Sequence, residues 1–214
     1  MKDTEIPWPS KGDKAFKDVP FSPTGASPHW LSEISNLFGG DYQWAIAAGF
    51  KEAADKVVDS LAATKERMDV FFFPVVYLYR HAIELSLKDL VNDGIYLQIL
   101  KDDQDLQDIL ASHNLHSLWS RVRLVLKAIW SDGDEEDVDA VEKIILEFHQ
   151  VDKSGQRLRY SKDKQGKSHV DILPGRVDLI VLKQTMECLF HFLGGCSAGL
   201  DEAKNWVNNY ILKK

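Results

Sequence analysis

The stretch FFFPVVYLYRHAIELSLKDL, residues 71–90, decides the fold. At about 100° per residue, Phe72, Val75, Val76, Leu78, Tyr79, Ala82, Ile83, Leu85, Leu87 and Leu90 cover most of a helix circumference. A helix that is apolar nearly all round is expected at the centre of a bundle. Arg80, Glu84 and Lys88 follow one another at i, i+4 and i+8, and with His81 they fall within about 100° of arc. A narrow charged stripe therefore runs down a core-like helix. It reads either as a solvated edge carrying surface ion pairs or as a cleft lined by a cation–anion–cation ladder.

Outward from that helix the pattern stays helical. Asp41 can cap a helix through about Ala63, with Trp44, Ala47, Ala48, Ala54, Val57, Val58 and Leu61 as its apolar stripe. A short segment, Trp30 to Leu37, precedes it and stops at Gly39-Gly40. The central helix is expected to start at Asp69, with Pro74 tolerable only in its first two turns, and to stop at Asn92-Asp93-Gly94. Residues 95–111 are acidic and read as one or two short helices. Asn114 to Trp130 is a clear amphipathic helix, with Asn114 or Ser112 as its cap. Asp134 to Gln150 forms another, its leading acids complementing the helix dipole. Arg176 to Leu212 is helical again, with an expected kink or interruption around Gly194-Gly195 and Gly199. The fold class is mostly α, a bundle of about five to seven helices.

Two segments depart from the helical period. Residues 1–28 hold five of the seven prolines and read as an irregular arm, which Trp8, Phe16 and Phe21 could pin onto a groove. The domain division is thus an arm at 1–28 and one helical bundle at 29–214. Residues 152–175 read as a short hairpin or ordered loop, in which Leu158 and Tyr160 alternate with Arg157 and Arg159. Between Asp152 and His169 six basic residues stand against two acids, a local charge of +4 in a chain of −7. With Tyr160 as a stacking platform, this loop is either a phosphate-contacting surface or a solvated hairpin neutralising acidic neighbours.

The chain-wide balance limits the function classes. With 214 residues, 44% hydrophobic and 28% charged, the composition is that of a globular protein and excludes a fibre or a disordered chain. The longest apolar run, Val70 to Tyr79, is ten residues, and the start MKDTEIPWPS has no signal-peptide core; no membrane association is expected. An overall acidic charge argues against a nucleic-acid-coating protein but leaves room for a local basic patch. Cys188 and Cys196 are two turns apart on one helix, too far for a disulfide, and fit a reducing cytoplasm as structural thiols. His113 and His116 have a spacing two zinc ligands can adopt, but no further ligand follows in a recognisable pattern, so neither a metal nor a cofactor is expected. Neither GxGxxG, GxxxxGK[ST] nor HExxH occurs.

Three of these segments, taken in order, are similar to one known family. Tyr79 to Lys88, with Ile83-Glu84-Leu85-Ser86-Leu87-Lys88 matching an IExxLK signature, resembles the first signature helix of HEPN-type domains. His113-Asn114-Leu115 resembles the start of their next helix, and Asp152 to Tyr160, with Ser154, Arg159 and Tyr160, the loop before their last helix. The resemblance covers about residues 70–193. It implies a four- or five-helix bundle, commonly a homodimer, with a cleft for RNA or a nucleotide. Many members are metal-independent ribonucleases of toxin–antitoxin, abortive-infection and antiphage systems. Those nucleases carry Arg followed by His after four to six intervening residues; here no Arg has a His in that window.

The expectation that follows is an RNA- or nucleotide-binding protein of a defence or stress module, acting with a partner encoded nearby, and endoribonuclease-like if it is an enzyme. His113, Arg80 and Glu84 are the candidate catalytic set, with Glu84 holding Arg80, Arg80 on phosphate and His113 carrying the proton. Arg157, Arg159, Tyr160 and Lys88 are the candidate phosphate- or nucleic-acid-binding set. The alternative is a non-catalytic interaction module in which the same polar groups are a structural network and a dimer or partner surface does the work.

Overall fold

The computed structural model describes residues 43–64, 68–131, 133, 135–160, 162 and 176–210. The arm at 1–28, the segment Trp30 to Leu37, the Asp41 cap, and the turn and second alternating run expected within 163–175 lie outside them. Six helices form among the described residues: α1 (Gln43–Thr64), α2 (Met68–Tyr96), α3 (Gln104–Ala111), α4 (Leu115–Ile129), α5 (Glu135–Val151) and α6 (Leu179–Tyr210). A single 3-10 turn, Arg157–Arg159, lies between α5 and α6. The mostly α class and the helix number follow the sequence expectation.

The all-round apolar pattern puts α2 where it must go. Val75, Tyr79, Ala82, Ile83, Leu87, Leu90 and Val91 are at most 1% exposed, and α2 packs against α1, α4 and α6. Each such side chain contributes about 1.5–3 kcal/mol by leaving water, which overrides the weaker local signals. By length and composition α2 could also cross a bilayer, and it is the one described helix that could. Here its middle, from Val75 to Val91, is buried against other helices, and it carries Arg80, Glu84, Lys88, Asp89 and Asp93.

Two helices run past the points where glycines were expected to end or bend them. Helix α2 continues through Gly94 to Tyr96, and a methyl group at Gly94 would overlap the Val125 side chain of α4. The glycine there is a close-approach residue, not a stop. Helix α6 continues without interruption through Gly194, Gly195 and Gly199. Gly199 faces the Trp130 indole at the end of α4, and buried Leu193 and Leu200 hold the backbone on either side. Pro74 sits in the second turn of α2, where the sequence required it.

Caps position the remaining pieces. Asp103 accepts from the Leu106 N–H at 3.2 Å and starts α3. Asn114 accepts from the Ser117 N–H at 3.0 Å and starts α4, so the residues just before that cap, Ser112 and His113, are held at a fixed point beside α2. Glu135, Glu136 and Asp137 fill the first turn of α5. Helix α5 ends at Val151, and the chain turns back over α2 through Asp152 to Tyr160.

Candidate functional site

The charged stripe of α2 is buried, not a solvated edge. Arg80 and Glu84 are each 2% exposed. Glu84 uses both carboxylate oxygens: Oε2 accepts from Arg80 Nη1 at 3.0 Å, and Oε1 from Lys88 Nζ at 2.9 Å and His113 Nδ1 at 2.8 Å. The structure therefore brings Arg80, Glu84, Lys88 and His113 together. Burial alone would raise the Glu84 carboxyl; the hydrogen bonds from Lys88 and His113 outweigh it and hold the group below its usual range.

Arg80 does something other than present a cation to a ligand. Its Nε donates to the Asp152 carbonyl at 3.0 Å and its Nη2 to the His113 carbonyl at 2.7 Å. One guanidinium thus ties α2 to the segment before α4 and to the loop after α5. The expectation that Arg80 contacts phosphate does not fit this geometry, because the planar fork is turned inward onto a carboxylate and two carbonyls. It is a positioning residue.

Sequence reading passed over the group on the other side of that fork. Asp152 is fully buried; its Oδ1 accepts from the Gln156 and Arg157 N–H groups at 3.0 and 3.1 Å, and its Oδ2 from the Leu158 N–H at 3.4 Å. This carboxylate folds the loop onto itself and lies 3.7 Å from Arg80 Nε. The available signal was an Asp at a helix end with a glycine three residues on. That glycine, Gly155, has φ of +69°, and a Cβ there would stand 2.9 Å from the His113 Cβ and 3.2 Å from Arg80 Nη1. Only glycine meets both demands.

The loop residues divide in two. Arg157 is half-buried, with Nη1 donating to the Val151 carbonyl at 3.3 Å. Arg159 and Tyr160 are exposed, Tyr160 by 61%. They lie on the same loop as Asp152 but do not enter the buried network. His81, which the stripe included, instead packs against Phe50 at 4.5 Å between ring centroids and stacks on Tyr77 at 6.0 Å. Burial pushes its imidazole below the usual histidine range.

His113 is the group with chemical potential. A buried carboxylate on Nδ1 makes that nitrogen the donor and leaves a lone pair on Nε2, and the side chain is 49% exposed. An imidazole oriented this way can take or give a proton at its free edge. The site is a surface-edge arrangement and not a deep pocket. Two cavities, of about 610 Å³ between α4, α5 and α6 and about 400 Å³ among α1, α2 and α6, are lined by other residues. Among the described residues no group of three or more His, Cys, Asp or Glu side chains is placed to hold a metal. Gly195 to Gly199 spells GxSxG, but it lies within α6 and lacks the strand-to-helix turn that exposes a nucleophilic serine.

No protein-family model, curated protein or solved structure matches this chain. The site is therefore judged by its own chemistry.

Proposed function

We propose that the protein is a HEPN-like RNA- or nucleotide-binding protein that contacts phosphate through the loop after α5, with His113 as proton carrier. The observation that carries this reading is the Glu84–His113 hydrogen bond of 2.8 Å, which orients an imidazole with an exposed edge. Arg159 and Tyr160 stand exposed on the adjoining loop, one suited to phosphate and the other to a base face. The reading is of a cytoplasmic homodimer in a defence or stress module, working with a partner protein, and of metal-independent endoribonuclease chemistry if it is catalytic.

The test is incubation of the purified protein with mixed cellular RNA in EDTA, read by gel and end-mapping, for wild type, Arg159→Ala and His113→Ala. Cleavage by wild type that both substitutions abolish, with circular dichroism unchanged, supports a divergent ribonuclease. Retention without cleavage supports a binding protein. The absence of both retention and cleavage refutes the reading.

One observation favours the second reading, a non-catalytic interaction module. The hydrogen bonds of the Arg80 guanidinium all run inward, to the Glu84 carboxylate and two backbone carbonyls, the arrangement of a structural lock. Under this reading Arg159→Ala changes neither RNA retention nor stability.

A further inference from the structure

A second imidazole cluster lies next to this network and takes no part in it. His116, in the first turn of α4, and His149, in the last turn of α5, come together with ring centroids 6.0 Å apart and planes tilted by 36°. His149 Nδ1 is buried and has no hydrogen-bond partner. A buried nitrogen without an acceptor is cheaper to keep as a lone pair than as an N–H. His149 is thus the Nε2–H tautomer, a donor at its accessible edge. Burial first, then the charges of His116, Lys153 and Arg80, push its imidazole below the usual histidine range, and Asp152 opposes them.

The neighbourhood is short of negative charge. The cations and potential cations facing His149 are His116 from α4, Arg80 from α2 and Lys153 from the loop. The acids nearby are already engaged: Asp152 holds three loop N–H groups, and Glu84 holds Arg80, Lys88 and His113. The first turn of α4 adds the partial positive charge of a helix start. His116 and Lys153 are exposed, so an ion can reach them. Two imidazole edges at this spacing can both donate to one small oxyanion at about 2.7–3.2 Å each.

We propose that His116 and His149, with Lys153, form a binding site for the oxyanion of a phosphate group. The site deepens the phosphate-binding reading above and rests on it only for the larger molecule to which the phosphate belongs. It puts the phosphate contact on the α4–α5 imidazole pair rather than on Arg80.

The experiment follows the ring signals of His116 and His149 by NMR while inorganic phosphate is added at constant ionic strength, using wild type, His116→Gln, His149→Gln and Lys56→Gln. Saturable shifts at both rings are expected, together with a rise in the His149 titration midpoint, since an anion favours the charged imidazole. His116→Gln, at an exposed position, should weaken phosphate about tenfold even if His149→Gln fails to fold. Lys56→Gln, on an exposed face of α1, should leave phosphate affinity unchanged. Absence of saturable shifts, or small shifts that salt alone reproduces, overturns the proposal. Shifts at both rings without RNA retention sustain this site while refuting the RNA reading; RNA retention with unmoved rings does the reverse.

Discussion

Replacing Arg80 by Met tests whether the α2 stripe holds the molecule together. Met keeps the reach of the aliphatic stem and removes the fork. Three hydrogen bonds vanish, to Glu84 Oε2, the Asp152 carbonyl and the His113 carbonyl, and with them the 3.7 Å ion pair to Asp152 Oδ2. Breaking one side of a buried ion pair costs about 3–5 kcal/mol. Lys88 and His113 remain on Glu84 and soften the loss of charge balance, while two carbonyls losing a donor each add about 1 kcal/mol. The expected total is about 3–5 kcal/mol, a third or more of the stability of an ordinary domain. With a urea slope of about 2 kcal/mol per molar, the unfolding midpoint falls by about 1.5–2.5 M at unchanged slope. Arg121→Met is the internal control, because its pair with Asp105 is largely exposed and should cost under about 1 kcal/mol. Adding Glu84→Gln to Arg80→Met should cost much less than the sum of the two single changes. If Arg80→Met moves the midpoint no further than Arg121→Met, the buried network is not a stabilising lock and the reasoning fails.

Gly155→Ala should destabilise by about 1–3 kcal/mol, because the positive φ strains any other residue and the methyl meets His113 and Arg80; urea unfolding checks it. Stability should fall as pH drops through the usual histidine pKa of about 6.5. His81 and His149 resist protonation when folded, so the unfolded chain binds more protons there. A second loss follows at lower pH: the depressed Glu84 stabilises above its unfolded pKa of about 4.3, and that contribution disappears as pH falls through the folded value. Urea midpoints from pH 8 down to about pH 2.5 measure both, and His81→Gln should flatten the upper slope. Burial pushes the Cys196 thiol up to about 11 while Cys188 is exposed. A thiol reagent at pH 7.5 should therefore label one cysteine quickly in the native protein and two in urea.

Much of the bundle was legible because its signals are local and repeated. The all-round apolar pattern of residues 71–90 put α2 at the centre, and the Asn114 cap and the leading acids of α5 marked helix starts to within a residue. Glycine misled where its role was long-range. Gly94 and Gly199 look like stops in sequence, yet each makes room for a side chain from α4, Val125 or Trp130, and nothing nearby in the chain announces that neighbour.

The candidate site divides along the same line. The i, i+4, i+8 spacing by itself determined that Arg80, Glu84 and Lys88 share a face, since helix geometry alone sets that. Only the tertiary structure decided what the face meets. It brought the His113 imidazole onto Glu84 across 29 residues and the Asp152 carbonyl onto Arg80 across 72. That turned Arg80 inward to hold the loop, and it placed His149 beside His116 from another helix. A chain's residue spacing fixes directions within one element, whereas burial, and the partner that makes burial of a charge affordable, depend on elements packed from far along the sequence.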